Sequence, residues 1–349
     1  MYRHDRGTCG TARAASTSTC PAAWPAALRP RCGRACRPAG LAAWRLAARF
    51  MARLSEGLER RLVRVEDAAE DLAFVYAERA GCPSDHPHDL WVDKLRPVYE
   101  LEVEGNAVAC HQADSSNLEK GITGGIVWDA AVVLAKALEE MAAHRAVALA
   151  RHRVIELGAG TGLLGLCAAA LGADVVLTDQ APQLRLMSRS LALNERLLQT
   201  RRDAAARRDK RPGEQHCAHV CELDWEHFDA ADFTTPRPPT AILCSDCVYN
   251  PSLIAPLVAC AKELCAAADE ALGDDEAHGG SCVVWFAMEV RAVDVLEEFV
   301  EALVEAFHVA RLPLDLQAAS HTSKRALVYA CRLRKPWGLS MLPDEAEQL

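Results

Sequence analysis

The sequence predicts an α/β fold in which helices cover both faces of a mostly parallel, seven-stranded sheet. Three observations support this prediction. After position 152, short apolar segments alternate with segments of helical periodicity. The first of these apolar segments runs directly into a glycine-rich turn and then a helix. At this spacing, strands that are connected through helices make right-handed crossovers and pair in parallel.

The seven strands are short and apolar, and polar or glycine-containing segments bound them. They are predicted at 154–157 (VIEL), 174–178 (DVVLT), 218–223 (AHVCEL), 241–245 (AILCS), 281–288 (SCVVWFAM), near 308–316 and at 325–333. The last two form a terminal pair that contributes an antiparallel strand. The helices between them are predicted at 161–171, 182–198, 252–271 and 291–307, and the basic stretch 200–214 is interpreted as an exposed loop.

The region before this domain combines a predicted helix with a predicted hairpin. Residues 52–81 have the periodicity of an amphipathic helix, and prolines interrupt the loop 82–95. Residues 96–112 predict a hairpin that turns at Gly105-Asn106, and a further helix is predicted over 126–141. The resulting division of the chain is a lead-in over 51–125, a main domain over 126–335 and a tail over 336–349.

The first fifty residues differ in composition from the rest of the chain. They contain nine Arg, no Lys and a single acid, Asp5. An arginine-rich, acid-poor segment of this kind is typical of an organellar transit peptide. A disordered extension, with translation starting at Met51, fits the composition equally well. We expect a cytoplasmic protein, or an organellar one if residues 1–50 are a genuine transit peptide.

Charge and cysteine content narrow the class of partner. The net charge is −9, and the first fifty residues carry about +8, which leaves about −17 on the remainder. A region with this net negative charge repels the phosphate groups of nucleic acids, so no nucleic acid is expected as a partner. A cationic, lysine-bearing protein is attracted to it. No unbroken apolar run reaches roughly 18 residues, so no membrane span is expected.

The fifteen cysteines lack paired CxxC spacing and are interpreted as reduced structural residues, with no metal site.

The strongest motif is the strand, turn and helix formed by VIELGAGTGLLGL. Glycines at 158, 160 and 162 allow the backbone to approach a ligand, and the following helix presents its N-terminal amides. Asp179 ends the next strand, where a carboxylate can accept both hydroxyls of a ribose. The combination predicts a site for an adenosine-containing cofactor.

Two cofactors remain open at this point. Residues 160–165 (GTGLLG) also satisfy the dinucleotide fingerprint, so a nicotinamide dehydrogenase is one alternative. Glu156, just before the turn, favours S-adenosylmethionine, because an amino-acid ammonium group attracts a carboxylate and a pyrophosphate does not. The chain also has only one such nucleotide-binding unit.

The motif ELGAGTG followed by Asp179 resembles the class I methyltransferases, which have a Rossmann-like sheet. Three further stretches narrow the resemblance: GGIVWDAAVVLAKALEE at 124–140, LDW at 223–225 and SDCVYN at 245–250. Together they resemble the methyltransferase-like protein 21 family of protein-lysine methyltransferases. The resemblance covers roughly 100–333 and implies methyl transfer from S-adenosylmethionine to a lysine side chain of a protein.

The resemblance also assigns roles to residues. It implies that, besides Glu156, the cofactor-binding residues are Trp128, Gly158, Ala159, Gly160, Asp179, Trp225 and Ser245. It implies that Asp246 and Tyr249 face the methyl group and the incoming amine. Packing is the alternative role for the two tryptophans, and a loop-capping role is the alternative for the tyrosine.

The implied partner is a protein substrate such as a chaperone or AAA ATPase, and within the family the pattern is most similar to the enzyme that methylates the AAA ATPase valosin-containing protein. A monomer is expected. Two alternatives stay open: a methyltransferase that acts on a small molecule or nucleic acid, and a catalytically silent module that binds a protein.

Overall fold

A computed structural model describes residues 58, 60–80, 91–114, 123–144, 149, 152–209, 218–272 and 282–334. The predictions for residues 1–50 and 336–349, and for most of the loop 82–95, lie outside these ranges. Ten strands are described: β1 (Val63–Val65), β2 (Val98–Val103), β3 (Asn106–His111), β4 (Arg153–Leu157), β5 (Asp174–Asp179), β6 (Ala218–Glu222), β7 (Ala241–Ser245), β8 (Val283–Glu289), β9 (Phe307–Arg311) and β10 (Ala326–Leu333).

The described α-helices alternate with these strands along the chain. They are α1 (Ala68–Ala80), α2 (Asp129–Ala143), α3 (Leu163–Ala170), α4 (Ala181–Leu193), α5 (Glu195–Asp209), α6 (Ala230–Thr234), α7 (Ile254–Leu272) and α8 (Val293–Ala306). Apart from the regions treated below, the predicted strands and helices of the main domain are confirmed to within about three residues at each end, except that the strand predicted near 308–316 already ends at Arg311 and a 3-10 helix follows at Leu314–Leu316.

One sheet organises the main domain, with the strand order β1-β9-β10-β8-β7-β4-β5-β6. Strands β4 to β8 pair in parallel, and β10 runs antiparallel between β8 and β9. The predicted α/β class and the antiparallel strand of the terminal pair are therefore confirmed. The predicted number of seven strands is wrong, because β1 pairs with β9 and adds an eighth.

The eighth strand comes from a segment that the periodicity assigned to a helix. Instead of one helix over 52–81, the chain forms β1 and then α1. The short Val-Arg-Val run pairs with β9, and Asp67 then starts α1, since its Oδ1 accepts a hydrogen bond from the amide of Glu70 at 2.8 Å. Pairing at a sheet edge thus overrides the helical periodicity.

The basic stretch 200–214 is a second correction, because its described part is helical as far as Asp209. The predicted helix 182–198 is divided at Asn194, whose side chain binds the backbone of Ala109 in the neighbouring hairpin. Helix α5 then begins at Glu195 and is rich in Ala, Arg, Gln and Leu, which all favour helices. The helix propensity of these residues therefore makes the segment helical, although its charge suggested a loop.

The predicted hairpin is confirmed as β2 and β3, which form a separate two-stranded sheet. Its turn lies one residue earlier than predicted. Glu104 and Gly105 have φ angles of 46° and 71°, and Asn106 is already the first residue of β3.

The core lies on both faces of the large sheet, as expected for helices on both sides. Val154 and Val175 face one hydrophobic cluster, and Ile155 and Val176 face the other. Helices α2 and α3 cover the first face, whereas α7 and α8 cover the second. The segment Pro251–Leu272 is long and apolar enough to cross a membrane by length and composition, but eight residues of α7 are buried in the fold, as in a core helix. Nine described cysteines are buried reduced thiols, which agrees with their predicted structural role.

Candidate active site

A cavity of about 690 Å³ opens at the carboxyl ends of β4, β5 and β7. In an open parallel sheet this edge is where ligands bind. All ten residues that the sequence suggested as site residues line it: Trp128, Glu156, Gly158, Ala159, Gly160, Asp179, Trp225, Ser245, Asp246 and Tyr249. The fold therefore brings residues from five separate segments of the chain to one site.

The glycine turn between β4 and α3 forms one wall of this cavity. Gly158 and Gly160 have φ angles of 60° and 55°. Residues other than glycine rarely adopt this left-handed region. A Cβ at position 160 would lie 2.8 Å from the carbonyl oxygen of Gly124, and one at 158 would lie 2.5 Å from Sγ of Cys247. Glycine is thus required twice over, by conformation and by space.

Asp179 fixes this turn from the end of β5. Its Oδ2 accepts a hydrogen bond from the amide of Gly160 at 2.8 Å, and its Oδ1 accepts one from the amide of Gln180 at 2.7 Å. Burial raises the pKa of Asp179, and the two backbone hydrogen bonds oppose that rise. The carboxylate keeps lone pairs for a ligand hydroxyl, as a ribose site requires.

Glu156 is the most deeply buried acid of the site. It lies on β4, and its Oε2 accepts a hydrogen bond from the amide of Gly165 at 2.8 Å in the first turn of α3. Burial raises the pKa of Glu156 to about 8, against the effect of this hydrogen bond. A buried acid on a cavity wall is costly unless a ligand charge compensates it.

Two half-buried tryptophans line the same cavity. Trp128 immediately precedes α2, and its Nε1 donates a hydrogen bond to the carbonyl of Thr123 at 3.2 Å. Nζ of Lys94 lies 4.0 Å from the centroid of the Trp128 ring. Trp225 follows β6 and packs beside the position where Gly158 lacks a Cβ. Both indoles present aromatic surface to whatever occupies the cavity.

Asp246 follows Ser245 at the end of β7, in a backbone conformation that is rare for a residue with a side chain, with φ of 55°. Its side chain is only 1% exposed and forms a two-pronged ion pair with Arg291, in which Nη1 lies 2.7 Å from Oδ1 and Nη2 binds Oδ2. The amide of Glu289 donates a further hydrogen bond to Oδ1 at 3.2 Å. Asp246 is thus held in a fixed orientation.

Glu289 and Arg291 are site-adjacent residues that the sequence reasoning missed. Glu289 is the last residue of β8, the parallel neighbour of β7, and Arg291 follows β8 as Asp246 follows β7. The signal that could have found them is the pair of charged residues, separated by one residue, where the apolar strand ends.

Tyr249 lines the cavity while 55% of its surface stays exposed, which places it on the solvent side of the site. The next residue, Asn250, caps a short 3-10 helix by accepting a hydrogen bond from the amide of Ser252. The loop that carries Tyr249 is therefore anchored at its far end.

Comparison with known proteins agrees with this geometry. Residues 114–273 match the model of a family described as lysine methyltransferase. The matched range contains the glycine turn and all ten predicted site residues.

Protein N-lysine methyltransferase METTL21A is similar to this chain in two vertebrates. The Danio rerio protein is 42% identical over 105 residues, which is 30% of this chain and 39% of that protein. The Xenopus tropicalis protein is 37% identical over 129 residues, which is 36% and 47% of the two chains. This chain therefore spans less than half of the length of these relatives.

A third relative matches over a longer range. Protein N-terminal and lysine N-methyltransferase EFM7 of Yarrowia lipolytica is 29% identical over 212 residues, which is 56% of this chain and 73% of that protein. These names agree with the family model and with the resemblance of the motifs. Residues 114–273 are thus similar to the lysine methyltransferase family, and METTL21A proteins are among the relatives of this chain.

Proposed function

We propose that this protein transfers a methyl group from S-adenosylmethionine to a lysine side chain of a protein substrate. One observation carries the proposal: the segment that matches the lysine methyltransferase family also supplies the walls of a cavity at the carboxyl edge of the sheet. That cavity combines a bare-backbone turn, two buried acids and aromatic surface.

The residues of the cavity fit S-adenosylmethionine. Asp179 would hold the ribose hydroxyls, and the turn from Gly158 to Gly160 would lie against the methionine portion, next to Glu156. Trp128 and Trp225 offer aromatic surface for the adenine and its surroundings. When bound, S-adenosylmethionine supplies a methyl group that its sulfonium already activates.

The remaining task of the protein is to present a neutral amine in line with that methyl group. A free lysine with a pKa of about 10.4 is neutral in roughly one molecule per thousand at pH 7.4, a deficit of about 4 kcal/mol. An aromatic, partly dehydrated entrance to the cavity disfavours the ammonium form of the substrate lysine. This recovers part of the free-energy deficit. Asp246 accepts a hydrogen bond from the amine and Tyr249 directs it.

The test is transfer of a labelled methyl group from S-adenosylmethionine into proteins of a cell lysate. Asp179→Ala and Asp246→Ala are expected to reduce labelling at least tenfold, because the first removes the ribose acceptor and the second the amine acceptor. Asp294→Ala is the matched control, since Asp294 is exposed on α8 and does not line the described cavity. If both site variants label proteins as well as the parent, the assignment of the site is wrong.

Hydrolysis of the labelled product separates this function from its alternatives. Methyl-lysine supports the proposal, whereas label on a nucleic acid or a small molecule supports the alternative substrates. Titration calorimetry with S-adenosylmethionine tests the catalytically silent module, because such a module does not need to bind the methyl donor.

We further propose a monomeric protein of the cytoplasm whose substrate is a chaperone or an AAA ATPase. The acidic body supports a substrate with a basic surface around the target lysine. Fluorescent fusions that begin at Met1 and at Met51 test the location. An organellar signal that depends on residues 1–50 would contradict the cytoplasmic proposal.

A further inference from the structure

Two cations lie against the Trp128 ring, and one of them also pairs with Asp246, at the part of the site where we place the incoming amine. The guanidinium carbon of Arg291 lies 4.7 Å from the centroid of the Trp128 ring, and Nζ of Lys94 lies 4.0 Å from it. The same guanidinium forms the two-pronged pair with Asp246 and lies 3.1 Å from Oε2 of Glu289. An aromatic face beside two carboxylates is what a lysine ammonium would bind, but here Arg291 already binds them.

Arg291 acts on the site without forming its surface. The cavity lining includes Trp128 and Asp246, and Arg291 is not among the described residues that line it. Its guanidinium therefore contacts two cavity residues from outside the cavity. This arrangement leaves room for a substrate while it sets the charge and orientation of Asp246.

The hydrogen bonds of Asp246 leave one position for a substrate. A carboxylate accepts about four hydrogen bonds. Three are taken, by Nη1 and Nη2 of Arg291 and by the amide of Glu289, and two of these fall on Oδ1. The remaining position on Oδ2 can accept an N–H of an amine.

The charge of Asp246 has an energetic consequence for the substrate. An unpaired carboxylate within about 4 to 6 Å of a lysine amine favours the ammonium form, which cannot attack a methyl group. A carboxylate that is paired with a guanidinium exerts a much weaker net field. Arg291 is suited to this role because its fork matches a carboxylate and it stays charged at every relevant pH.

We propose that Arg291 is a positioning residue that neutralises Asp246, so that the substrate lysine reaches the methyl donor as an uncharged amine. The inference rests on the proposed function. It explains how an acid can orient the amine at the site without trapping the amine as an ammonium ion.

Other charges that face this pair come from three further segments. Glu289 belongs to β8, Asp129 begins α2, and Lys94 precedes β2. With Asp246 and Arg291 they make three acids and two bases. Loss of Arg291 would therefore leave three acids and one base. The entrance of the cavity would then attract the ammonium form of the substrate lysine.

The experiment compares Arg291→Met with Arg291→Lys across a pH series. The probe is the initial rate of labelled methyl transfer from S-adenosylmethionine into the most strongly labelled lysate protein, from pH 6.5 to 10. For Arg291→Met we expect the half-maximal rate to move up by about one pH unit, so that the rate at pH 7.5 falls about tenfold and recovers near pH 10. Arg291→Lys keeps the charge, and its profile should stay within 0.3 pH units of the parent profile.

The double variant Asp246→Asn/Arg291→Met guards against misfolding and completes the test. It removes both charges, so its midpoint should return to that of the parent even if its rate at every pH is lower. Thermal unfolding gives a readout without turnover: Arg291→Met should lose more stability at pH 8 than at pH 5, where the acids are closer to protonation.

An equal loss of rate at every pH in Arg291→Met, or a shift that persists in the double variant, would overturn the inference. The outcome is separable from the proposed function. A parent protein that neither binds S-adenosylmethionine in a calorimeter nor labels lysine contradicts the function, whereas an active parent with unshifted variants contradicts only the role of Arg291.

Discussion

Glu156 illustrates how a single buried side chain can report on ligand chemistry. It lies on a central strand with its carboxyl group on the cavity wall, where burial holds the pKa at about 8. In the free protein the group is therefore largely protonated near neutral pH. An ammonium group beside it would favour the ionised form and lower that pKa.

The first prediction follows: binding of S-adenosylmethionine at pH 6.5 should release close to one proton from Glu156. Calorimetric titrations in buffers with different ionisation enthalpies measure this number, as the slope of observed enthalpy against buffer enthalpy. Glu156→Gln has no proton to release, so its slope should be near zero. Equal slopes for the parent and the variant would place the amino-acid portion of the ligand elsewhere.

The same residue gives the free protein a pH-dependent stability. Because the folded pKa lies above the ordinary value of 4.5, the contribution of Glu156 is fully present below about pH 4.5 and is lost as the pH rises to about 8. Without ligand, the melting temperature of Glu156→Gln should therefore improve relative to the parent between pH 5 and pH 8.

The second prediction compares two glycines that share a backbone conformation but not their surroundings. Gly105 has φ of 71° and no described atom within 4 Å of an added Cβ, whereas Gly160 has φ of 55° and a backbone oxygen at 2.8 Å. Alanine at either position costs about 1 to 2 kcal/mol of backbone strain, and at Gly160 the contact with the Gly124 oxygen adds to that cost. Only Gly160→Ala should also weaken binding of S-adenosylmethionine, by tenfold or more.

Calorimetric titration measures this affinity, and denaturant unfolding measures the strain in both variants. Gly105→Ala serves as the control for strain alone. Equal affinity of the two variants for S-adenosylmethionine would mean that the turn at Gly160 does not contact the ligand.

Residues that follow a local motif could be predicted from the sequence, and residues held by distant contacts could not. Glycine spacing and the strand-end positions of Asp179 and Asp246 are visible in a short window. The partner of Asp246 is Arg291, 45 positions away, and only the pairing of β7 with β8 brings the two together.

At the scale of the element, the strands and helices that deviate from prediction lie at the periphery of the fold. The central strands are mostly apolar, because both faces are buried, and this makes them easy to recognise. Strand β1 has only three residues and one buried side chain, so its sequence carries little strand signal. Residues 63–65 form a strand because they pair with β9.

The third prediction concerns the attachment of α1 to the sheet. Asp71 on α1 accepts hydrogen bonds from Nε of Arg311 at 2.9 Å and from the hydroxyl of Tyr329 at 3.0 Å, and all three side chains are buried. Asp71→Ala leaves the guanidinium buried and uncompensated, so it should cost about 3 to 5 kcal/mol. Tyr329→Phe removes one hydrogen bond and should cost about 1 to 2 kcal/mol.

Urea unfolding measures both costs, and titration with S-adenosylmethionine measures whether the site survives. None of the three residues lines the described cavity, so affinity for S-adenosylmethionine should stay within twofold of the parent wherever the variant is folded. A smaller cost for Asp71→Ala than for Tyr329→Phe would show that the ion pair contributes little to the attachment of α1.

At the scale of the whole molecule, the dominant feature is the separation of charge along the chain. The first fifty residues carry about +8 and the remainder about −17. A net charge of that size steers oppositely charged partners toward the surface, and salt screens the effect with a Debye length of about 10 Å at 0.1 M. Composition alone was enough to predict this property, since it does not depend on the fold.

The fourth prediction is that methylation of a basic protein acceptor depends strongly on salt, while binding of the methyl donor does not. Between 50 and 200 mM NaCl, kcat/KM for a basic lysate protein should fall several-fold through KM, because screening weakens the encounter and leaves the chemical step unchanged. Affinity for S-adenosylmethionine, which binds inside the cavity, should change less than twofold.

A chain that begins at Met51 lacks the basic segment and carries the full negative charge, so its salt dependence should be steeper than that of the full chain. A rate that is independent of salt in both forms would mean that local contacts around the lysine, and not the charge of the whole molecule, recruit the substrate.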